Sequence, residues 1–505
     1  MALGRPVKKV VIAGGGTAGW TVAAALVKNL GPLLEIVLVE SDMIGTVGVG
    51  ESTIPTARRF HELLGLDERE FVTATQASFK LGISFENWTR ENERYFHSFG
   101  TLGRSTWMAD FQHMWLAARQ MGVAGPLDDY SLETQAALAN RFGSGGADNR
   151  AAPPLNYAYH LDATAYGQYL RGFAEPLGVK RVEGRIDEVR LDPASGHIAA
   201  LALDSGSVIE GDLFIDCTGF RALLIEEALQ TGYDDWTHWL ATDRALAVQT
   251  DSSGPARPYT RAIAHRAGWQ WQIPLQHRVG NGLVYSSEFL SDDEALAMLT
   301  ERLDCPMLTE PRPIRYVSGS RRKAWNRNCV AIGLSSGFVE PLESTSIHLI
   351  MIAVTRLMQL FPFEGEMDAL SARFNDLSKR ELEGVRDFIV LHYHLNQRSG
   401  EPFWDRCRTM DIPDSLASRI GLFRQSATAF QASDELFRVD SWVQVMLGQG
   451  LQPQAHHALG EMIGKERLGS SLEALAANIR EQAGRLPAHQ SFLDRYSPRT
   501  AGPRA

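Results

Sequence analysis

A chain of 505 residues with 44% hydrophobic content can bury a large core and ordinarily divides into two or three modules. A net charge of −10 and a pI near 5.8 leave no basic footprint for nucleic acid and no cationic stripe for an anionic membrane, so a small molecule is the expected partner. The four cysteines, Cys217, Cys305, Cys329 and Cys407, lack ligand-like spacing, which argues against a metal site and a disulfide framework and fits a reducing cytoplasm.

Val10 to Ala13 follows Lys8 and Lys9 as a signal sequence would begin, but it runs into glycines without a cleavage pattern and reads as a buried strand. Thr17 to Leu30 is expected as a helix and Leu34 to Glu40 as a second strand, a βαβ opening. The stretch from Leu81 to Pro154 is rich in Trp, Phe and His and reads as irregular, an insertion over the active site that ends in a loop, Gly143 to Pro154. Ile198 to Leu203 and Leu213 to Cys217 are strand-like, with Asp204 to Ser207 as a turn. The longest later apolar run, His348 to Phe361, is too short for a bilayer and contains Arg356. Beyond Met358 the apolar spacing is helical, as in Ala369 to His394. The expected division is 1–357, a discontinuous dinucleotide-binding module with 81–154 inserted, and 358–505, a mainly helical substrate-side module. A short Pro/Arg tail, Arg499 to Ala505, closes the chain.

Gly14-Gly15-Gly16-Thr17-Ala18-Gly19 follows a strand and opens a helix, the context that makes a glycine fingerprint informative. Gly14 permits a tight turn, Gly16 lets the backbone approach a pyrophosphate at the helix N-terminus, and Gly19 lets the helix pack on the sheet. Glu40, at the end of the second strand, stands where an acidic side chain binds a ribose hydroxyl pair. The motif alone does not choose between NAD and FAD. Asp216 to Phe220 and Ala331 to Gly337 resemble the strand ends that close over flavin in the glutathione-reductase-like superfamily. That resemblance implies an α/β, Rossmann-like FAD-binding fold with an inserted substrate region and a mainly helical C-terminal cap. Gly333 and Leu334 would meet the cofactor there, with Leu334 contributing backbone in place of the usual acidic residue.

Trp269-Gln270-Trp271-Gln272-Ile273-Pro274 matches the WxWxIP signature of the flavin-dependent halogenases, the group typified by tryptophan halogenases, and the chain resembles that family from residue 10 to about 450. The resemblance implies an enzyme that uses FADH2, O2 and chloride or bromide to make hypohalous acid and halogenates an electron-rich arene. Trp269, Trp271 and Pro274 would stand beside the flavin as a wall that blocks direct oxygen transfer to substrate; taken alone, two indoles on one strand face would read as ordinary core, and the other motifs turn the reading to the wall. Lys80, flanked by Phe79, Leu81 and Ile83, falls at the family's catalytic lysine, as a donor to hypohalous acid or as a nucleophile that forms a haloamine. A lysine chosen at random is a solvated surface charge.

Glu343, within Phe338 to Ile347, matches the catalytic carboxylate that stabilises a cationic ring and removes its proton, with Ser344 to orient it. The plainer alternative is a carboxylate that complements a helix dipole. A helix is expected to begin near Thr345, and the family's halide rests on the backbone of the residues matching Thr345 and Ser346, the second often glycine elsewhere. Ile347 follows on the cofactor side. Gly48 to Pro55 looks like the family's strap, with Gly50 and Glu51 toward the cofactor.

His97 and Phe99 resemble the family's aromatic substrate walls. Phe430 to Phe437 matches the segment in which tryptophan halogenases hold the amino-acid end of their substrate, but it has no tyrosine pair, Ala432 replaces the anchoring carboxylate, and Leu436-Phe437 replaces Phe-Trp. This counts against free tryptophan and leaves indole, pyrrole, phenol or a larger tryptophan-containing molecule open. No second glycine fingerprint follows a strand, so a separate NAD(P)H-dependent flavin reductase is expected to supply FADH2; a homodimer is left open. An aromatic hydroxylase and a non-catalytic flavin-binding protein are the alternatives. The first gains nothing from Lys80 or an anion site, and the second has no need of Lys80 and Glu343 together.

Overall fold

The computed structural model describes residues 6–43, 50–144 and 154–497. Gly48 and Val49 of the strap, residues 145–153 of the expected loop, and the Pro/Arg tail lie outside the described residues. The chain forms two compact units, Met1–Ala77 with Leu161–Asp243 and Arg315–Glu383, and Ser78–His160 with Arg244–Ile314 and Gly384–Ala505.

The first unit is built on a sheet whose hydrogen-bonded order is Trp325–Asn326, Cys329–Ala331, Leu213–Asp216, Lys9–Ala13, Glu35–Glu40 and Lys180–Glu183. All its ladders are parallel except the outermost hairpin, Trp325–Asn326 with Cys329–Ala331. The central strands read as unbroken apolar runs because parallel strands are covered on both faces. On one face the antiparallel meander Ile186–Leu191, Ile198–Leu203 and Val208–Glu210 contributes Ile198, Leu201 and Leu203 to a core with Val11, Val37, Val39 and Phe214. Helix Thr17–Leu30 buries Gly19 to Val27 without interruption and ends at Gly31. A helix apolar all round is a core helix.

The second unit is organised on a sheet in the order Arg244–Thr250, Val279–Tyr285, Gly268–Pro274, Thr260–His265, Gly82–Glu86 and Arg94–Ser98. Only the Thr260–His265 pairing with Gly82–Glu86 is parallel. The expectation of irregular structure from Leu81 to Pro154 is corrected here: strands Gly82–Glu86 and Arg94–Ser98 and helices Phe111–Gln120 and Leu132–Leu138 occupy it. Apart from the exposed Trp107, its aromatic residues are buried core positions, and the register of these strands is supplied by residues 260–265, far away in sequence. The C-terminal part is helical, including Pro402–Thr409, Asp414–Ser426, Val439–Gly448, Lys465–Arg485 and His489–Tyr496. Among the described residues no helix is long and apolar enough to cross a membrane.

Candidate active site

In the first unit the glycine loop is as tight as its sequence demands. Gly14 has φ +102°, and a Cβ there would stand 2.4 Å from the Cys217 carbonyl oxygen. A Cβ on Gly19 would fall 1.8 Å from the Gly14 carbonyl oxygen, so the helix lies directly on the strand exit. Gly16 differs: a Cβ would meet nothing within 4 Å among the described residues. It caps helix Thr17–Leu30, whose first turn has no acidic residue and no side-chain cap. Open space in front of unused backbone N–H groups fits a dinucleotide pyrophosphate.

Glu40 closes the side of this loop. A Cβ on Gly15 would overlap its carboxylate oxygen. Its Oε1 accepts from Arg181 Nε at 2.5 Å and lies 3.6 Å from Arg171, while Oε2 accepts from Trp20 Nε1 at 3.3 Å. Thr17 Oγ1 donates to the Ala163 carbonyl at 3.3 Å. Gly333, at φ +81°, brings the second glycine turn against the same helix: its Cβ would stand 2.9 Å from Ala18 Cβ. Leu334 follows in the short turn Gly333–Ser335. Asp216, fully buried, accepts from the backbone N–H groups of Thr218, Leu224 and Ile225 and from the Thr218 hydroxyl, so it is a structural brace for the strand end.

Glu343 ends the turn Pro341–Glu343 and is fully buried. Ser344 then takes φ +59°, a left-handed conformation that costs a non-glycine residue roughly 1–2 kcal/mol. That reversal is what separates the Glu343 turn from helix Ser346–Gln359. Thr345 caps the helix without a side-chain cap bond, and its buried Oγ1 has no hydrogen-bond partner among the described residues. With no acidic residue in the first turn, the backbone donors of Thr345, Ser346 and Ile347 suit a small anion. The next residue, His348, bridges Thr56 Oγ1 at 3.0 Å and Glu381 at 3.1 Å, and Glu381 also pairs with Arg356. Glu51, in strand Gly50–Ser52, is pushed up to about 7 by burial.

In the second unit Lys80 is fully buried at the end of strand Ser78–Lys80, with Nζ 5.0 Å from the centroid of the Phe99 ring. Phe99 is fixed through its main chain, since its carbonyl accepts from Asn156 Nδ2 at 2.7 Å and from Arg438 at 2.8 Å. His97 lies in an aromatic group: its ring centroid is 5.5 Å from Phe388 and 6.4 Å from Phe437, and the last two stack at 3.7 Å. Trp442 stands edge-on to Phe388 at 4.8 Å. His97 and Phe437, both singled out in the sequence, thus lie together with Phe388 and Trp442, while Asn156 and Arg438 hold Phe99; these last four carry no motif of their own.

Trp269 and Trp271 share one face of strand Gly268–Pro274, with ring centroids 6.1 Å apart. Trp269 also packs near Trp88, and Trp271 lies over Gly282, where a Cβ would be 2.0 Å from the indole. The two indoles are therefore rigidly seated. Pro274 presents its carbonyl to Ser78 Oγ at 2.5 Å. In the Phe430 to Phe437 segment the carboxylate of Glu435 is taken by Arg419, whose guanidinium also covers the Phe430 and Trp442 rings.

Residues 9–465 match the family model described as tryptophan halogenase. Xcc4156, a flavin-dependent halogenase from Xanthomonas campestris, is 52% identical, and its solved structure has a TM-score of 0.96 over 99% of this chain and 100% of that one. BrvH, a flavin-dependent halogenase from Brevundimonas sp. BAL3, is 45% identical with a TM-score of 0.93, covering 97% of this chain and 99% of that one. Tryptophan 7-halogenase RebH of Lentzea aerocolonigenes is 34% identical across 95% of this chain and 99% of its own. A glycine cradle for a dinucleotide, a buried lysine, a buried glutamate before a bare helix N-terminus, and these likenesses agree: the chain belongs to the tryptophan halogenase family.

Proposed function

We propose that this enzyme halogenates an indole-type arene by electrophilic substitution, using FADH2, O2 and chloride or bromide. The observation that carries the proposal is Lys80, an ammonium-bearing side chain with no exposure to solvent and a ring face as its neighbour. Such burial is costly for a merely structural lysine and is expected of one that handles a reactive electrophile.

Reduced FAD, when bound, supplies with O2 the two-electron oxidation of halide to hypohalous acid. Gly14, Gly16 and the first-turn amides of Thr17, Ala18 and Gly19 would hold its pyrophosphate, and Glu40, preset by Arg171 and Arg181, its ribose. Gly50, Glu51, Gly333, Leu334 and Ile347 complete the cofactor side. The amides of Thr345 and Ser346 hold the halide, where a serine in place of glycine still offers its N–H. Lys80 orients the electrophilic halogen. The arene attacks the halogen, the departing hydroxide takes a proton from the Lys80 ammonium and leaves as water, and Glu343, positioned by Ser344, accepts the ring proton, which returns to Lys80 through solvent. Trp269, Trp271 and Pro274 keep substrate from the flavin, and His97, Phe99 and Phe437 stack it.

Free tryptophan is not the substrate we propose. The Phe430 to Phe437 segment has no tyrosine pair and no carboxylate at Ala432, and Glu435 is committed to Arg419. A separate NAD(P)H-dependent reductase would supply FADH2. The functional division we propose remains 1–357 for cofactor and 358–505 for substrate-side structure, a partition distinct from the compact units.

Incubation with reduced FAD, air, bromide and indole should give a product with the paired bromine isotope pattern by mass spectrometry. Lys80→Ala should abolish it while FAD still binds. An oxygenated product formed without halide would instead make the chain an aromatic hydroxylase.

A further inference from the structure

We propose that His160 is a positioning residue for Lys80, clamping the lysine strand through Ser78 to the main-chain carbonyl of Pro274. The inference rests on the assignment of Lys80 as the halogen-handling lysine.

Strand Ser78–Lys80 pairs antiparallel with Ala158–Asp162, in the register Ser78 to His160 and Lys80 to Ala158. The Ser78 hydroxyl has one proton, and it goes to the Pro274 carbonyl at 2.5 Å. The same oxygen then accepts from His160 Nδ1 at 3.0 Å. This fixes the imidazole tautomer: Nδ1 carries the proton, and Nε2 accepts from the Thr260 hydroxyl at 2.9 Å. Ser78 and His160 are fully buried and Thr260 nearly so.

Burial, and after it the positive charge of Lys80, hold His160 well below its ordinary titration range, so the ring is neutral. The intervening residue is held as well, because Phe79 N–H donates to His489 Nε2 at 3.2 Å while His489 Nδ1 donates to the Ala256 carbonyl at 2.7 Å. Alternate residues of a strand share a face, so the clamp at Ser78 acts on the face that bears Lys80. A buried Ser-His-Thr chain is worth its desolvation only when every member is satisfied, and then it specifies one position. It ties the three-residue lysine strand to the last residue of the tryptophan-bearing strand.

The test compares His160→Leu, His160→Asn and His160→Gln in the full-length enzyme with reduced FAD, bromide and indole. Leu removes both hydrogen bonds. Misplacement of a reacting group by about an ångström costs up to roughly 100-fold, so His160→Leu should lose roughly 10- to 100-fold in kcat for brominated product. The KM for indole and the rate of FADH2 oxidation should not change, and the unused oxidant should appear as free hypobromous acid. Asn places a donor where Nδ1 stands and should restore product, whereas Gln supplies a polar atom only toward Thr260 and should not. Ser78→Ala should lose product in the same direction as His160→Leu but less, because the Pro274 carbonyl also accepts from the His160 ring.

Hydrogen exchange of peptides covering Ser78 to Leu81, measured without flavin, should quicken in His160→Leu and stay slow in His160→Asn. Wild-type product yield in His160→Leu, or equal rescue by Asn and Gln, would overturn the clamp. A wild-type enzyme that yields no brominated product would overturn the functional assignment alone, and the exchange contrast would still decide the clamp.

Discussion

The Nζ of Lys80 faces the ring of Phe99 at 5.0 Å from its centroid, with Lys80 fully buried and Phe99 nearly so. A desolvated ammonium over an aromatic face gains about 2 kcal/mol. Phe99→Leu keeps much of the apolar volume and removes that face, so urea unfolding should show a loss of about 2 kcal/mol. Phe99→Tyr should be near neutral in the same measurement.

Gly16 and Gly19 separate ligand binding from folding. Gly16 has φ −72°, and an added Cβ meets no atom of the described residues within 4 Å, so Gly16→Ala should melt like the wild type yet lose FAD affinity by about tenfold or more, equivalent to 1.4 kcal/mol, in a flavin-fluorescence titration. Gly19→Ala places its Cβ 1.8 Å from the Gly14 carbonyl oxygen and should lower both the melting temperature and FAD binding.

Glu51 gives a pH dependence of definite sign. Burial raises its carboxyl from 4.5 to about 7, so between those values the folded chain holds a proton that the unfolded chain has released. The stability contribution is present below the unfolded value and is lost as pH rises through about 7. Melting temperatures of the flavin-free protein should fall across this window, and Glu51→Gln should flatten the fall.

Glu381 accepts from His348 at 3.1 Å and pairs with Arg356, all three being buried. Removal of one partner of a buried ion pair costs about 3–5 kcal/mol because a charge is left uncompensated. Glu381→Leu should therefore unfold at clearly lower denaturant concentration. Glu381→Gln, which leaves Arg356 uncompensated but keeps one acceptor for His348, should lie between.

What the residues alone determined is local chemistry. The βαβ opening, helix Thr17–Leu30, strand Ile198–Leu203 and the helix after Glu343 follow from glycine placement and from apolar spacing within about twenty residues, and each was legible. The family was legible too, because its motifs are short and continuous. The stretch from Leu81 to Pro154 was not, since its strands gain their order from pairing with Thr260–His265 rather than from a pattern of their own. His160, Asn156, Phe388 and Arg438 likewise carry no signal along the chain. Their meaning arises from partners 82 residues away for His160 and Ser78, 196 for Ser78 and Pro274, and 339 for Arg438 and Phe99. Packing and satisfaction of buried polar groups decide such pairings, and only the folded chain brings the atoms within reach.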